Sequence, residues 1–131
     1  MSGEEVAAAA RALVGVRFRL HGRDAVHGLD CVGLAAMALR AGGWAGEVPT
    51  GYALRGGDRA RIIGLLDAAL SRAEGARAGD VVLVEAAPAQ WHLAIRTEAG
   101  VVHADAALRR VVERPGDLPW PVRGAWRMGE A

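Results

Sequence analysis

The chain is 131 residues long, the size of one domain that can enclose a single core without disulfide or metal staples. Sixteen basic and fifteen acidic residues leave a formal charge of +1 and are scattered along the chain, with no basic run of the kind that tracks phosphates, so nucleic acid is not expected as a partner. The 52% hydrophobic content is inflated by alanine, and no stretch approaches the roughly 18 to 20 apolar residues that span a bilayer, so a membrane is not expected either.

The opening "MSGEEVAAAARALVG" carries glutamates where a secretory leader needs positive charge, and Arg11 interrupts its apolar part, so the expectation is synthesis in the cytoplasm without a signal peptide. Ser2 followed by Glu5 reads as a capping box, and Val6, Ala9, Ala10 and Leu13 recur at helical spacing, which predicts a helix to about residue 14, ended near Gly15. Residues 16–28 are polar and irregular and read as a loop. Asp30 is then a plausible N-cap for a buried helix from Cys31 to about Ala41, closed by Gly42 and Gly43. Residues 44–57, with Pro49 and four glycines, read as a surface loop containing Tyr52. Asp58 caps a third helix through "DRARIIGLLDAALSRA", with Ile62, Ile63, Leu66, Ala69 and Leu70 on one face. Beyond it the period drops to two: "DVVLVEA", "WHLAIRT", "GVVHAD" and "LRRVVER" are predicted antiparallel strands, and "PVRGAWRM" a further edge strand. Helices first and strands second point to an α+β domain over residues 1–131.

Cys31 is the only cysteine, so it cannot close a disulfide within the chain, and it stands either as a small apolar filler or as a reactive thiol. A helix start favours the thiolate and offers unpaired N–H groups to an oxyanion, whereas the adjacent Asp30 charge opposes ionisation unless backbone N–H groups hold it as a cap. Among four histidines, His92 alternates on its strand with Trp91, Leu93 and Ile95 on the opposite side, and His103 lies on the next strand. A turn through "RTEAG" would bring the two imidazoles together, with His92 as general base and His103 fixing its tautomer. No pair of possible ligands has the spacing of a zinc motif, so neither a metal nor a cofactor is expected. The bland alternative, a packed thiol and two amphipathic histidines, stays open on spacing alone.

The order of "VGVRFRLHG", "GLDCVGLAAMAL", "ARAGDVVLV", "QWHLAI" and "VVHADAALRRVVE" is more specific than any one segment, and in this order the chain resembles the NlpC family of papain-like cysteine peptidases. The resemblance implies a papain-like NlpC-type α+β fold, N-terminal helices packed on a C-terminal antiparallel sheet, and a Cys31, His92, His103 triad acting on peptidoglycan stem peptides through an acyl-enzyme. Asp30, Phe18, His21 and Tyr52 are the residues expected around the oxyanion and substrate. Two positions depart from the family pattern: Val32 stands where serine commonly follows the cysteine, and Phe18 where a tyrosine hydroxyl commonly assists the oxyanion, leaving backbone N–H groups with His21 as a substitute donor. The "HG" and "GLDC" segments look most like peptidases carried by phage tails or gene transfer agents, which implies phage-like tail proteins as partners and action at the cell wall as part of a particle. Acyl transfer or amide hydrolysis on another substrate, and a non-catalytic structural module, are the alternatives.

Overall fold

The computed structural model describes residues 2–48, 53, 54 and 56–129. Helix α1 (Gly3–Ala12) starts where the Ser2 side chain accepts the N–H of Glu5 at 3.3 Å, and it ends two residues before the expected limit, with Gly15 in the left-handed region three residues on. The irregular segment after it contains two two-residue strands, β1 (Arg23–Asp24) and β2 (Gly28–Leu29), which pair antiparallel and deliver the chain to α2 (Cys31–Ala41). Helix α3 (Arg59–Ala69) is shorter than its apolar pattern suggested. Leu70 turns extended, and the next two residues form a short strand, β3 (Ser71–Arg72), against the last strand of the sheet.

Five longer strands follow: β4 (Val81–Ala87), β5 (Gln90–Arg96), β6 (Gly100–Asp105), β7 (Arg110–Pro115) and β8 (Val122–Arg127). The six-stranded antiparallel sheet runs β3-β8-β4-β5-β6-β7, an α+β arrangement with helices preceding the sheet. Two-residue periodicity sorts each strand between two faces. Leu29, Leu34, Leu39, Leu83, Trp91, Leu93, Ile95, Val102 and Val111 form one core between the helices and the sheet, whereas Val82, Val84 and Ala125 form a smaller cluster on the other face under Leu118 and Trp120. No helix among the described residues is long and apolar enough to cross a membrane.

The segment expected to be a plain loop also extends the sheet beyond β7. The Gly15 N–H donates to the Val111 carbonyl (2.9 Å), the Val111 N–H to the Val16 carbonyl (2.8 Å), and the Phe18 N–H to the Arg109 carbonyl (2.9 Å). Phe18 bridges Leu29 on its other side. Residues 15–18 thus tie the strand after His103 to the turn that leads into Cys31.

Candidate active site

The start of α2 is built around Asp30, a residue 2% exposed. Its Oδ1 accepts the Gly33 N–H and the Arg23 guanidinium, both at 2.8 Å, and its Oδ2 accepts the His21 N–H at 3.0 Å. The carboxylate therefore closes the helix end and pins the preceding loop to it. Glycine is required at position 33, because a Cβ there would meet the Gly22 carbonyl oxygen at 2.0 Å. With the Gly33 N–H on the cap and the Leu34 N–H on the Asp30 carbonyl (2.9 Å), the N–H groups of Cys31 and Val32 are the ones in this turn that no helical acceptor can use.

Cys31 meets the sheet at a break in its ladder. The Arg96 N–H donates to Asp80 of β4's side and the Thr97 N–H to Gly100 on β6's side, so by alternation the Leu93 N–H points toward β6. The β5–β6 register, however, covers only Ile95 with Val102 and Arg96 with Val101. Past Ile95 the two strands part, and the Leu93 N–H is one of the groups that favour the Cys31 thiolate. Cys31 thus shares the core cluster with Leu93, the residue next to His92, while the His92 side chain belongs to the opposite face of the sheet.

His92 and His103 span the same opening. His92 Nε2 lies 2.9 Å from His103 Nδ1, with ring centroids 5.1 Å apart and planes at 86°. Trp120, from the segment before β8, completes a cluster of three nearly perpendicular rings, 6.0 Å from His92 and 6.2 Å from His103. Sequence reasoning missed this residue; "LPWP" read as a proline-broken connection, and no local pattern marks it as folding back onto the β5 and β6 side chains.

Burial governs the charge states. It pushes the Cys31 thiol up to about 12, with the Asp30 charge adding to it, while the N–H groups of Leu93, Cys31 and Val32 favour the thiolate. It pulls His92 down to about 4, reinforced by His103 and opposed by the Asp105 carboxylate. His103 is lowered as well, by burial first, with Asp105 opposing and Arg114 adding. At neutral pH the resting groups are therefore a protonated thiol and two neutral imidazoles.

The other sequence-derived candidates take different places. Phe18 is half-buried against the main core and offers no donor. His21 contributes its backbone, in the left-handed region at φ 61°, to Asp30, while the residue itself stays exposed. Tyr52 lies outside the described residues. Val32 and Leu93 line an apolar cavity of about 80 Å³ that continues between α2 and α3 to Ile62, Leu66 and Trp44. The segment before α3 is tied to the start of β5, the Trp91 N–H and Nε1–H donating to the carbonyls of Leu54 and Gly57 at 2.8 and 2.9 Å.

No family model and no curated protein matches the sequence. Solved structures do match the fold. NlpC1 from Trichomonas vaginalis is 17% identical with a TM-score of 0.73 over 95% of this chain, which spans 43% of that one. The NlpC/p60 domain of the peptidoglycan hydrolase SagA is 19% identical with a TM-score of 0.64, over 98% of this chain and all of that domain. Such low identity speaks for the backbone, and on that ground this chain has the NlpC/p60 fold.

Proposed function

We propose that the chain is a cysteine peptidase that hydrolyses amide bonds of peptidoglycan stem peptides. The observation that carries this reading is the break between β5 and β6, where a thiol at a helix start meets Leu93 beside a hydrogen-bonded His92–His103 pair. SagA, which shares the fold, is a peptidoglycan hydrolase, and this supports the substrate class.

The chemistry follows from the donors present. To take the thiol proton on Nδ1, His92 must carry its own proton on Nε2, and the 2.9 Å bond to His103 Nδ1 holds that tautomer. The sulfur attacks the carbonyl as its proton passes to His92, because neither charge is stable in the buried resting site. Asp105 favours the imidazolium once it forms, and attraction between the two new charges offsets part of their desolvation. The N–H groups of Cys31 and Val32 receive the oxyanion, without a tyrosine hydroxyl at Phe18; one such donor is worth roughly 2.7 to 4 kcal/mol, so turnover is expected to be slow. His92 then gives its proton to the leaving amine, and water releases the acyl-enzyme.

Release of soluble peptide from purified sacculi tests this reading. Cys31→Ser and His92→Ala should each lower the rate by at least about 10³-fold, the scale of loss when one member of such a triad is removed. Full activity in either variant removes the mechanism. A non-catalytic module is the second reading, favoured by the thiol's 4% exposure and neutrality; it predicts no peptide release by the unmodified chain. Carriage on a phage-like particle is supported by the sequence resemblance of the "HG" and "GLDC" segments.

A further inference from the structure

All sixteen basic residues are arginines. Arg11, Arg23, Arg72, Arg96, Arg123 and Arg127 each have a carboxylate partner. Arg17, Arg19 and Arg110 have none among the described residues, yet they stand together. Arg17 lies directly opposite Arg110 where residues 15–18 pair with β7. The bonds from Phe18 to Arg109 and from Val111 to Val16 flank that pair, which makes it the close, non-hydrogen-bonded kind, with Cα atoms about 4.5 Å apart. Like charges placed directly opposite are destabilising, so the sheet edge holds two guanidinium groups against its own stability. Arg19 follows two residues later on the same side, and Gly28 makes room for both stems. A Cβ there would come within 2.8 Å of Arg19 Cβ and 2.9 Å of Arg17 Cγ.

The face on which they stand is fixed by alternation. Val111 faces the helices, so Arg110 points to the other face, the one that carries His92 and His103. The β6–β7 register puts Asp105 opposite Arg110 and Val112 opposite His103. Asp105 is the carboxylate best placed to neutralise Arg110, but its Oδ1 accepts the N–H groups of Ala107 and Leu108, and it makes no ion pair with the guanidinium.

We propose that Arg17, Arg110 and Arg19 form an oxyanion site on the histidine-bearing face, and that it receives a free carboxylate of the substrate peptide. Arginine suits this task because its planar fork meets a carboxylate with two parallel N–H bonds, and an anion bridging the pair removes the repulsion between them. The choice of a peptide carboxylate rests on the stem-peptide reading above; the anion site rests on the strand register.

Two measurements test it separately. Hydrolysis of soluble muropeptides with free side carboxylates is compared with that of amidated counterparts, for the unmodified chain and for Arg17→Gln and Arg110→Gln. Each variant should raise KM for the free acid about tenfold while leaving kcat within about twofold, and should leave the amidated substrate unaffected. Inorganic phosphate should shift the amide resonances of residues 17–19 and 110 in the unmodified chain and not in the double variant. Both variants should melt no lower than the parent, since each removes a like-charge contact. Equal KM values on the free acid overturn the carboxylate assignment, and phosphate shifts spread evenly over all surface arginines overturn the site. Failure of the unmodified chain to cleave any muropeptide removes the hydrolase reading alone, and the phosphate titration then decides the anion site.

Discussion

Trp120 stands where the acid chemistry of His92 is set. It covers the edges of both imidazoles and thereby contributes to the desolvation that holds His92 near 4 rather than 6.5. Because His92 must be neutral to accept a proton, the acid limb of kcat/KM should lie well below the usual histidine range. Opening the cluster with Trp120→Ala should move that limb upward, toward 6.5, and Trp120→Phe should move it less; a limb that stays in place in both variants shows that the indole does not control the base. At this scale the sequence was informative about type and side. Strand alternation alone separated His92 from Trp91, Leu93 and Ile95, and the single cysteine at a helix start was visible without any coordinates. The indole was not, since its contacts with residues 92 and 103 depend on the path of a connection that no local propensity determines.

At the scale of elements, α2 is the part whose limits follow most directly from the chain. An aspartate cap precedes an apolar run, and glycine ends it, so the Cys31–Ala41 bounds agree with the sequence expectation. The cap does more than end a helix, because Asp30 also holds the Arg23 guanidinium and the His21 N–H in a buried setting. Asp30→Ala should therefore cost about 3 kcal/mol, more than an exposed cap, whereas Asp30→Asn should cost about 1 kcal/mol by keeping an acceptor for Gly33. Urea denaturation midpoints would measure both, and equal small losses would show that the buried pair contributes little. Helix α3 shows the opposite case. The segment expected to be helical ran to Ala73, yet Ser71 and Arg72 pair with Arg127 and Trp126 of β8, a tertiary contact that outweighs local helical preference. Residues 15–18 likewise read as loop because their strand partner, β7, lies more than ninety residues away.

For the whole molecule, the buried titratable groups define a pH range of stability. His92 and His103 bind protons more weakly folded than unfolded, so the unfolded chain gains protons first as pH falls below about 6.5, and stability declines from there toward 4. The Cys31 thiol is raised, so the unfolded chain loses its proton first as pH rises above about 9, and stability declines again. Urea midpoints should be flat between these limits and fall outside them; in Cys31→Ser the alkaline decline should shrink. The antiparallel sheet and the layer of helices were legible as a class from helices preceding strands, but the sheet order was not: "PVRGAWRM", expected at an edge, lies between β3 and β4, and nothing in "QWHLAIRT" or "GVVHAD" marks where pairing stops. Beside that parting, Cys31 has a second duty. Its side chain is 4% exposed and belongs to the cluster between the helices and the sheet, so the nucleophile is also a packing residue, and removing its sulfur opens a cavity in that core. Cys31→Ala should consequently melt below the unmodified chain, and an inactive alanine variant would report on a weakened core as well as on lost chemistry.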